Sequence, residues 1–191
     1  MVTGTAAGAG VVAAVDTVRD QAWEVAAAVP DPELPMLTLA DLGVLADVEV
    51  DGGSGAVTAW LTPTYSGCPA VAEMAADVDR RLRAAGYPDV RVRLRLDPPW
   101  STDLITAEGR RKLAAAGIAP PRPGGAAPAG RGPVPLTLGP ARTGTATAAP
   151  VACPHCGDAD TEELSRFGST ACKALWRCRA CREPFERVKE I

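Results

Sequence analysis

The chain has 191 residues and a formal net charge of -3, and 47% of its residues are hydrophobic although only 4% are aromatic. This length accommodates one domain of roughly 100–150 residues together with a smaller appendage. The acidic balance argues against general affinity for nucleic acid or for an anionic membrane surface, since both require an excess of positive charge. The sequence contains nothing close to an 18-residue uncharged apolar run, so no transmembrane helix is predicted.

Residues 1–14 are small and apolar. A signal peptide would require Lys or Arg ahead of such an apolar stretch, and this segment has neither. We therefore interpret them as a flexible leader. The six cysteines are distributed as one near the middle of the chain and five near its end. Because the five are spaced for metal binding and not for a disulfide framework, a cytoplasmic location is expected.

The first regular elements are predicted to be a helix and a hairpin. Residues 16–29 place apolar side chains on one helical face, with Asp16 as the N-cap and Pro30 as the stop. The proline-rich residues 30–43 are expected to form a non-helical connection. Two segments of alternating apolar and polar residues follow, VLADVEVD and AVTAWLT, separated by a glycine-rich turn. This pattern predicts a β-hairpin.

A second helix is predicted from Pro69, a third strand in VRVRLRL, and a last helix from Thr106 to Gly117. The resulting order predicts an α/β domain over residues 15–121, with a small three-stranded sheet and helices packed on one face. Alternation places the three arginines of the third strand on its polar face. We interpret them as a solvated face whose cross-strand partners are the acids of the first strand, and not as a nucleic-acid site.

Residues 122–150 are rich in Pro, Gly and Ala and contain no aromatic residue, so they are predicted to be a disordered linker. The final residues, 151–191, then form a small β-ribbon metal-binding domain. Its ligands are predicted from two C-x-x-C knuckles separated by 21 residues: Cys153, Cys156, Cys178 and Cys181. Four thiolates at this spacing favour a tetrahedral site for zinc, with an iron–sulfur cluster as the alternative.

The ribbon is too small to fold on its apolar residues alone, and Phe167, Trp176 and Phe185 are its expected core. Cys172 is left open as a spare ligand, a cluster ligand or a small buried side chain. His155, inside the first knuckle, is expected to be exposed and not a ligand. Seven basic and seven acidic residues follow from Cys153 onward, so the ribbon is predicted to contact protein and not nucleic acid.

Cys68 is the only cysteine of the first domain, and it lies between Gly67 and Pro69 where a helix is predicted to begin. Unpaired amides and the positive end of the helix dipole would favour a thiolate there, and with it metal or cluster ligation. Thr62, Thr64 and Ser66 make the preceding loop rich in hydroxyls. The alternative is that Cys68 is a small buried residue at a strand–helix junction. Conventional Cys–His hydrolysis is disfavoured because the single histidine belongs to the ribbon.

Three segments carry a family resemblance: DPELPMLTLADLGVLADVEV, LTPTYSGCPA and VRLRLDPPWSTDLITAEGRRKL. Together they resemble the small SufT-like iron–sulfur assembly domain. With the tail CPHCG…ACKALWRCRACREPF added, the chain resembles the PaaD (also called PaaJ) family, the accessory subunits of the phenylacetyl-CoA epoxidase complex of phenylacetate degradation. The resemblance covers about Val15 to Pro121 and Cys153 to the end, leaving out the leader and the linker.

The resemblance implies that Cys68 is the functional residue of the assembly domain. It also implies supporting roles for the residues at the family's other motif positions, which are Asp31, Glu33, Asp41, Thr64 and Trp100. Its implied partners are the oxygenase components, above all the reductase that carries an iron–sulfur centre, beside a catalytic component that carries a di-iron site. Because one cysteine supplies too few ligands for a stable cluster, pairing of two copies through Cys68 is left open.

These observations favour a non-catalytic accessory protein whose Cys68 transiently holds iron or an iron–sulfur cluster for maturation of the oxygenase. The first alternative is a structural or electron-transfer-supporting subunit of the same complex. The second is a zinc-ribbon regulator that binds nucleic acid, which the neutral charge of the ribbon disfavours. A thiol redox enzyme using C-x-x-C is disfavoured by the expected four-thiolate metal site.

Overall fold

A computed structural model describes residues 7–65, 67–124 and 151–190, with side chains described from Val15 onward. The chain divides into two compact units at the junction between Leu113 and Ala114. The helices are α1 (Ala7–Ala27), α2 (Leu39–Leu42), α3 (Ala70–Ala84) and α4 (Ala107–Ala115), with a 3-10 turn at Thr102–Leu104. The strands of the first unit are β1 (Leu45–Val50), β2 (Val57–Leu61) and β3 (Val90–Leu94), and those of the second are β4 (Ile118–Ala119), β5 (Thr161–Ser165), β6 (Lys173–Cys178) and β7 (Pro184–Val188).

The first unit is the expected α/β domain, with a three-stranded sheet in the order β1-β2-β3. β1 and β2 form the predicted antiparallel hairpin, and β3 runs parallel to β2 after the crossover through α3. α1 and α3 pack on one face of this sheet, where Val48, Ala59 and Val57 are almost completely buried. Alternation along the strands therefore separates a helix-covered face from an open polar face.

The open face explains the arginines of the third strand. Trp60 of β2 lies there, with the guanidinium groups of Arg93 and Arg95 at 5.9 and 5.0 Å from its ring. Arg95 also approaches Asp47 at 3.6 Å and Glu49 at 3.9 Å, both on β1. The interpretation of these arginines as a solvated face is therefore confirmed, but pairing with the acids of the first strand is confirmed only for Arg95. Arg91 pairs instead with Asp89, just before its own strand, at 3.3 Å.

The first helix begins earlier than predicted. α1 starts at Ala7, so Asp16 lies inside the helix and is not its N-cap, and residues 7–14 are helical where a flexible leader was expected. Four of these eight residues are alanine, the best helix former, and extending a helix that is already nucleated downstream costs little, although Gly8 and Gly10 disfavour it. The rest of the expected leader, residues 1–6, lies outside the described residues.

The proline-rich connection contains one helical turn that was not predicted. Thr38 caps α2 by accepting a hydrogen bond from the Asp41 N–H, and the Asp41 carboxylate accepts one from the Thr38 N–H. Such a reciprocal capping box satisfies two otherwise unpaired donors and offsets the cost of nucleating so short a helix. The prolines stand upstream, at positions 30, 32 and 35, so the prediction of a non-helical connection is wrong only for its last residues.

The second unit is a four-stranded sheet in the order β4-β7-β6-β5, which contains the expected β-ribbon. β4 pairs in parallel with β7 at Ile118 and Ala119, so residues predicted to end the first domain lie in the ribbon sheet. The expected linker falls mostly on residues 125–150, outside the described part of the chain. Among the described residues, none of the helices is both long enough and apolar enough to span a membrane.

Candidate metal centre and loop thiol

Cys68 lies in the loop that leads from β2 into α3. Its N–H donates to the Tyr65 carbonyl at 3.2 Å, and its own carbonyl accepts from the Val71 N–H at 3.4 Å. Pro69, predicted to be the first helical residue, is instead the N-cap of α3, which begins at Ala70, and it makes no side-chain capping bond. Cys68 is therefore beside the N-cap, as predicted, and its backbone is held from both sides.

The Cys68 side chain is half-buried and lines an apolar groove of about 470 Å³. The groove lies between the first turns of α3 and the end of β3, and Val71, Ala75 and Leu94 contribute to its walls. Leu94 and Leu96 are 49% and 61% exposed, which is high for leucine side chains. The thiol is thus reachable from solvent, and the alternative of a fully buried small residue is wrong.

The hydroxyl-bearing residues near Cys68 do not form a shared polar pocket around it. Thr62 is 4% exposed, and its N–H bonds to the Val44 carbonyl, so it joins the loop to the segment before β1. Thr64 is half-buried and Gly67 is exposed. Ser66 lies outside the described residues. Among the described residues, the groove lining is mainly apolar, so the thiol is its most reactive group.

The acidic motif residues act on the connection between α1 and β1. Asp31 accepts hydrogen bonds from the N–H groups of Glu33 at 2.9 Å and Leu34 at 2.7 Å. Asp41 belongs to the capping box of α2 and also pairs with Lys112 of α4 at 2.7 Å. Although partial burial acts to raise it, the hydrogen bond from Lys112, together with that from Thr38, holds the pKa of Asp41 below its ordinary value. These carboxylates organise backbone and are not brought into the Cys68 groove.

Trp100 stabilises the same region from the other end of the domain. Its side chain is 6% exposed, and its Nε1–H donates to the Leu42 carbonyl at 2.9 Å, at the C-terminal end of α2. The residues around α2 that sequence reasoning missed are Thr38 and Lys112. The Thr38-x-x-Asp41 spacing could have identified the cap, whereas the pairing with Lys112 spans 71 residues and has no local signal.

The four predicted ligands of the second unit come together. The Sγ atoms of Cys153, Cys156, Cys178 and Cys181 all lie within 4.8 Å of one another. Cys153 and Cys181 are 3.7 Å apart, and Cys156 and Cys178 are 3.6 Å apart. A tetrahedron with zinc–sulfur bonds of about 2.3 Å has sulfur–sulfur edges of about 3.8 Å. The donor set therefore fits a single tetrahedral metal ion.

Both knuckles have the tight turn that such a site requires. Gly157, directly after the first knuckle, has a φ of +79°, and its N–H bonds to the Cys153 carbonyl at 2.9 Å. Arg182 occupies the equivalent position after the second knuckle with a φ of +66°. This left-handed conformation suits glycine and costs about 1–2 kcal/mol for other residues, so the second turn is the more strained of the two.

The thiols influence one another strongly. The backbone N–H of Cys181 points at the sulfur of Cys178 and, against the effect of burial, lowers the pKa of Cys178 to about 7. Although the backbone N–H of Glu183 acts to lower it, burial and the neighbouring thiols raise the pKa of Cys181 to about 12. A divalent cation would stabilise the thiolate form of the whole group, so this arrangement suits metal binding.

The hydrophobic core of the ribbon includes two of its four clustered cysteines. Cys153 and Cys178 are buried in one cluster with Trp176 and Phe185, while Cys156 and Cys181 are exposed. Phe167, predicted as a third core aromatic, is instead 75% exposed, with the Lys189 ammonium 5.3 Å from its ring. The prediction failed because Phe167 lies in the turn between β5 and β6, beyond the paired strands.

The two other candidate residues near the cage lie outside it. His155 is exposed, as predicted. Cys172 is half-buried, and its Sγ lies 3.1 Å from the Thr170 hydroxyl. In the described part of the chain, the group of close thiols consists of the four knuckle cysteines and does not include Cys172.

Comparison with known protein families agrees with this division. Residues 19–94 match the family described as "Iron-sulfur cluster assembly protein". Residues 138–189 match the family described as "PaaD zinc beta ribbon domain". Cys68 lies within the first matched region, and all four knuckle cysteines lie within the second.

A protein of Escherichia coli (strain K12), named as one subunit of a "Putative 1,2-phenylacetyl-CoA epoxidase", is 40% identical over 169 residues, which is 88% of this chain and 91% of that protein. Among solved structures, a domain of unknown function DUF59 from Bacillus anthracis aligns with a TM-score of 0.50 and 24% identity. It covers 53% of this chain and 96% of that one. A conserved hypothetical protein from Thermotoga maritima is 27% identical, covers 50% of this chain and 92% of its own, and has a TM-score of 0.42. The first of these structures supports the fold of the first unit.

Proposed function

The chain belongs to the PaaD-like family of 1,2-phenylacetyl-CoA epoxidase subunits, and on this basis we propose that it is a non-catalytic accessory protein of such an epoxidase. Its task is to help an iron-containing component of the epoxidase acquire its iron or iron–sulfur centre. The match of the first unit to an iron–sulfur cluster assembly family supports this role. The recipient we favour is the reductase component that the family resemblance implies.

The observation that carries the proposal is the position of Cys68. Cys68 is half-buried and lines an apolar groove, and its backbone is held by hydrogen bonds to Tyr65 and Val71. Such a thiol can bind an iron centre delivered by one protein and release it to another. Because a single thiolate leaves most of the coordination positions of iron open, the cargo remains exchangeable. The remaining ligands come from the donor, the recipient or the Cys68 of a second copy.

We propose that the ribbon binds zinc as a structural ion. The sulfur–sulfur distances of 3.6 and 3.7 Å suit one tetrahedral ion, whereas a cluster would distribute its cysteines over separate irons. Zinc bound by four thiolates is redox-inactive and supplies folding free energy in a unit with few large apolar side chains. In this proposal the ribbon is a docking module, and the cargo is handled by the other unit.

The decisive experiment compares Cys68→Ser with Cys172→Ser. Each variant loses one thiol outside the knuckle cage, and each thiol is half-buried, so the pair controls for nonspecific effects of serine. Both proteins should fold and retain ribbon zinc. Anaerobically purified Cys68→Ser should fail to bind added iron or reconstituted cluster, and cells carrying it should contain reductase with less iron and acid-labile sulfide. Cys172→Ser should resemble the wild type in both measurements.

Equal iron content of the reductase in cells carrying either variant would overturn the assignment of Cys68 as the transfer residue. Loss of iron binding in both variants, with ribbon zinc intact, would indicate that the cargo site is not specific to the groove. Metal analysis and absorption spectra on the same anaerobic samples distinguish zinc in the ribbon from iron in the first unit.

A second candidate function is a stable subunit that supports the structure of the epoxidase. Two features favour it: the related Escherichia coli protein is named as a subunit, and the ribbon exposes Phe167 and Leu164. Co-expression with the epoxidase components followed by gel filtration tests this candidate. Co-elution at fixed stoichiometry after the reductase has its full iron content would favour the subunit, whereas release at that point would favour the transient accessory protein.

A further inference from the structure

The outer edge of β3 offers backbone groups for pairing. β3 is the last strand of its sheet and pairs only with β2 in the sheet described. The Val57 N–H bonds to the Asp89 carbonyl and the Arg95 N–H to the Leu61 carbonyl. Because backbone groups alternate in direction along a strand, Val92 and Leu94 direct their N–H and C=O groups away from β2.

The outward backbone groups at the start of this edge already have hydrogen-bond partners, whereas those at its end are available. Arg83 of α3 donates to the carbonyls of Pro88 at 2.7 Å and Val90 at 3.2 Å. In the described part of the chain, the outward groups of Val92 and Leu94 have no such partner. An exposed strand edge of this kind is a template for an added strand.

The side chains beside this edge form an apolar receptor. Val92 and Leu94 lie on the helix side of the strand and, with Leu96, line the groove that contains Cys68. A segment added beside β3 would direct every second side chain into this groove, as in recognition by strand addition, where backbone pairing supplies affinity and alternate pockets supply specificity. The exposure of Leu94 and Leu96 would fall as the groove fills.

The opposite side of the same strand carries three arginines, of which one lacks an acidic partner in the described part of the chain. Arg91, Arg93 and Arg95 project on the open face, and the cross-strand neighbours of the first two on β2 are Thr58 and Trp60, which carry no charge. Arg91 pairs with Asp89 at 3.3 Å, and Arg95 reaches carboxylates only on β1, two strands away. Among the described residues, Arg93 has no carboxylate within ion-pair distance, so it is the uncompensated charge beside this edge. Opposite charges placed directly across a strand pair are stabilising, and like charges are destabilising.

We propose that this surface, the β3 edge formed by Val92, Leu94 and Leu96, binds an extended segment of a partner protein in which apolar and acidic residues alternate. The apolar residues fill the groove beside Cys68, and an acidic residue pairs with Arg93 on the open face. A second copy pairing through its own β3 would bring arginines against arginines, so charge complementarity favours a different protein. Docking here would bring the iron-binding residues of the partner beside Cys68. In this respect alone the inference rests on the proposed function.

The test uses the full-length protein and a short fluorescein-labelled peptide in which valine and glutamate alternate. Fluorescence anisotropy should show saturable binding, and amide hydrogen exchange should slow at Val92 and Leu94. A peptide with lysine in place of glutamate should bind more weakly, because it opposes the arginines. N-methylation of every second amide removes the hydrogen-bond donors along one edge of the valine–glutamate peptide. The peptide methylated on the edge that faces β3 should lose binding.

Two variants of equal charge change make the test specific. Arg93→Glu should weaken the valine–glutamate peptide about fivefold and strengthen the valine–lysine peptide by a similar factor. Arg111→Glu changes the net charge equally at a side chain that is 76% exposed on α4, and should leave both affinities unchanged. Leu96→Asp should weaken both peptides, since it removes an apolar wall that they share.

Equal effects of Arg93→Glu and Arg111→Glu would overturn the proposal, as would binding without slower exchange at Val92 and Leu94. A different outcome is that exchange at those two amides slows, without peptide, as the protein concentration rises. If added peptide did not reverse that concentration dependence, the edge would be assigned to a second copy. A failure of peptide binding thus overturns the docking site, whereas a failure of Cys68→Ser to impair iron handling overturns the proposed function.

Discussion

Single side chains in the first unit show how acidic residues at motif positions can serve structure. Asp31 and Asp41 each accept backbone hydrogen bonds within the same short connection, and Trp100 donates to the carbonyl of Leu42 beside it. Buried backbone groups must be paired, and a proline-rich segment has few regular partners for them. These side chains therefore fix the connection that precedes β1 and lie outside the groove that contains Cys68.

Asp41→Asn should destabilise the first unit by about 1–2 kcal/mol at neutral pH, because it removes the charge that pairs with Lys112. The folded-state pKa of Asp41 lies below its ordinary value of 3.8. The stabilisation is therefore fully present above the unfolded-state value and is lost as the pH falls through the lower folded-state value. Urea unfolding at neutral and acidic pH should show a difference from wild type that shrinks in acid.

Asp47→Asn is the control for this prediction. Asp47 faces Arg95 at 3.6 Å with a side chain that is 45% exposed, so its ion pair should contribute less than about 1 kcal/mol. A difference between Asp41→Asn and wild type that is independent of pH would count against the charge of Asp41 as the cause.

Packing between elements imposes constraints that propensity does not contain. α4 approaches α2 so closely that a Cβ placed on Gly109 would lie 2.6 Å from the Asp41 carbonyl oxygen. Glycine normally weakens a helix, and Gly109 lies inside α4. The glycine is required there by the close approach of another backbone.

Gly109→Ala should destabilise the protein by about 1–2 kcal/mol, even though alanine is the better helix former by about 1 kcal/mol. The overpacking against the backbone of α2 outweighs the gain in propensity. Gly52→Ala is the matched control, since its Cβ would meet only a Val15 methyl group at the ordinary distance of 3.4 Å. Urea unfolding of both variants checks the prediction, and a stabilised Gly109→Ala protein would contradict it.

Across the entire chain, the two units derive stability from different sources. The first unit has an extensive apolar core, with Leu37, Leu61 and Leu82 almost completely buried. The core of the second unit is a cluster of seven residues, two of which are the knuckle cysteines Cys153 and Cys178. Loss of the metal should therefore affect the second unit far more than the first.

Removal of the ribbon metal by a strong chelator should abolish amide protection in β5, β6 and β7 and leave protection in β1 and β2 intact. Hydrogen exchange followed by mass spectrometry measures both regions in one sample. Cys178→Ser should reproduce the effect without chelator. Protection of the ribbon strands that survives complete metal removal would show that the thiol cage is not what holds them.

Local patterns in the sequence were sufficient to predict the hairpin, the third strand, the helix after Cys68 and the four cysteines that cluster in the ribbon. Each depends on residues that are close in sequence, such as the alternation of β1 or the spacing within a C-x-x-C knuckle. The start of α1 and the exposure of Phe167 were predicted wrongly. The start of α1 depended on extension of a helix already formed downstream, and the exposure of Phe167 depended on where the strands of the ribbon end.

Sequence alone was enough to establish the α/β class, the cage of four cysteines and a solitary thiol at the start of a helix. Folding was needed to reveal the rest: the groove around Cys68, the free edge of β3, the pairing of Lys112 with Asp41 and the addition of Ile118–Ala119 to the ribbon sheet. The reason is physical. Periodicity and ligand spacing act over a few residues, whereas a groove or a strand edge exists only after distant segments have packed and left particular groups without neighbours.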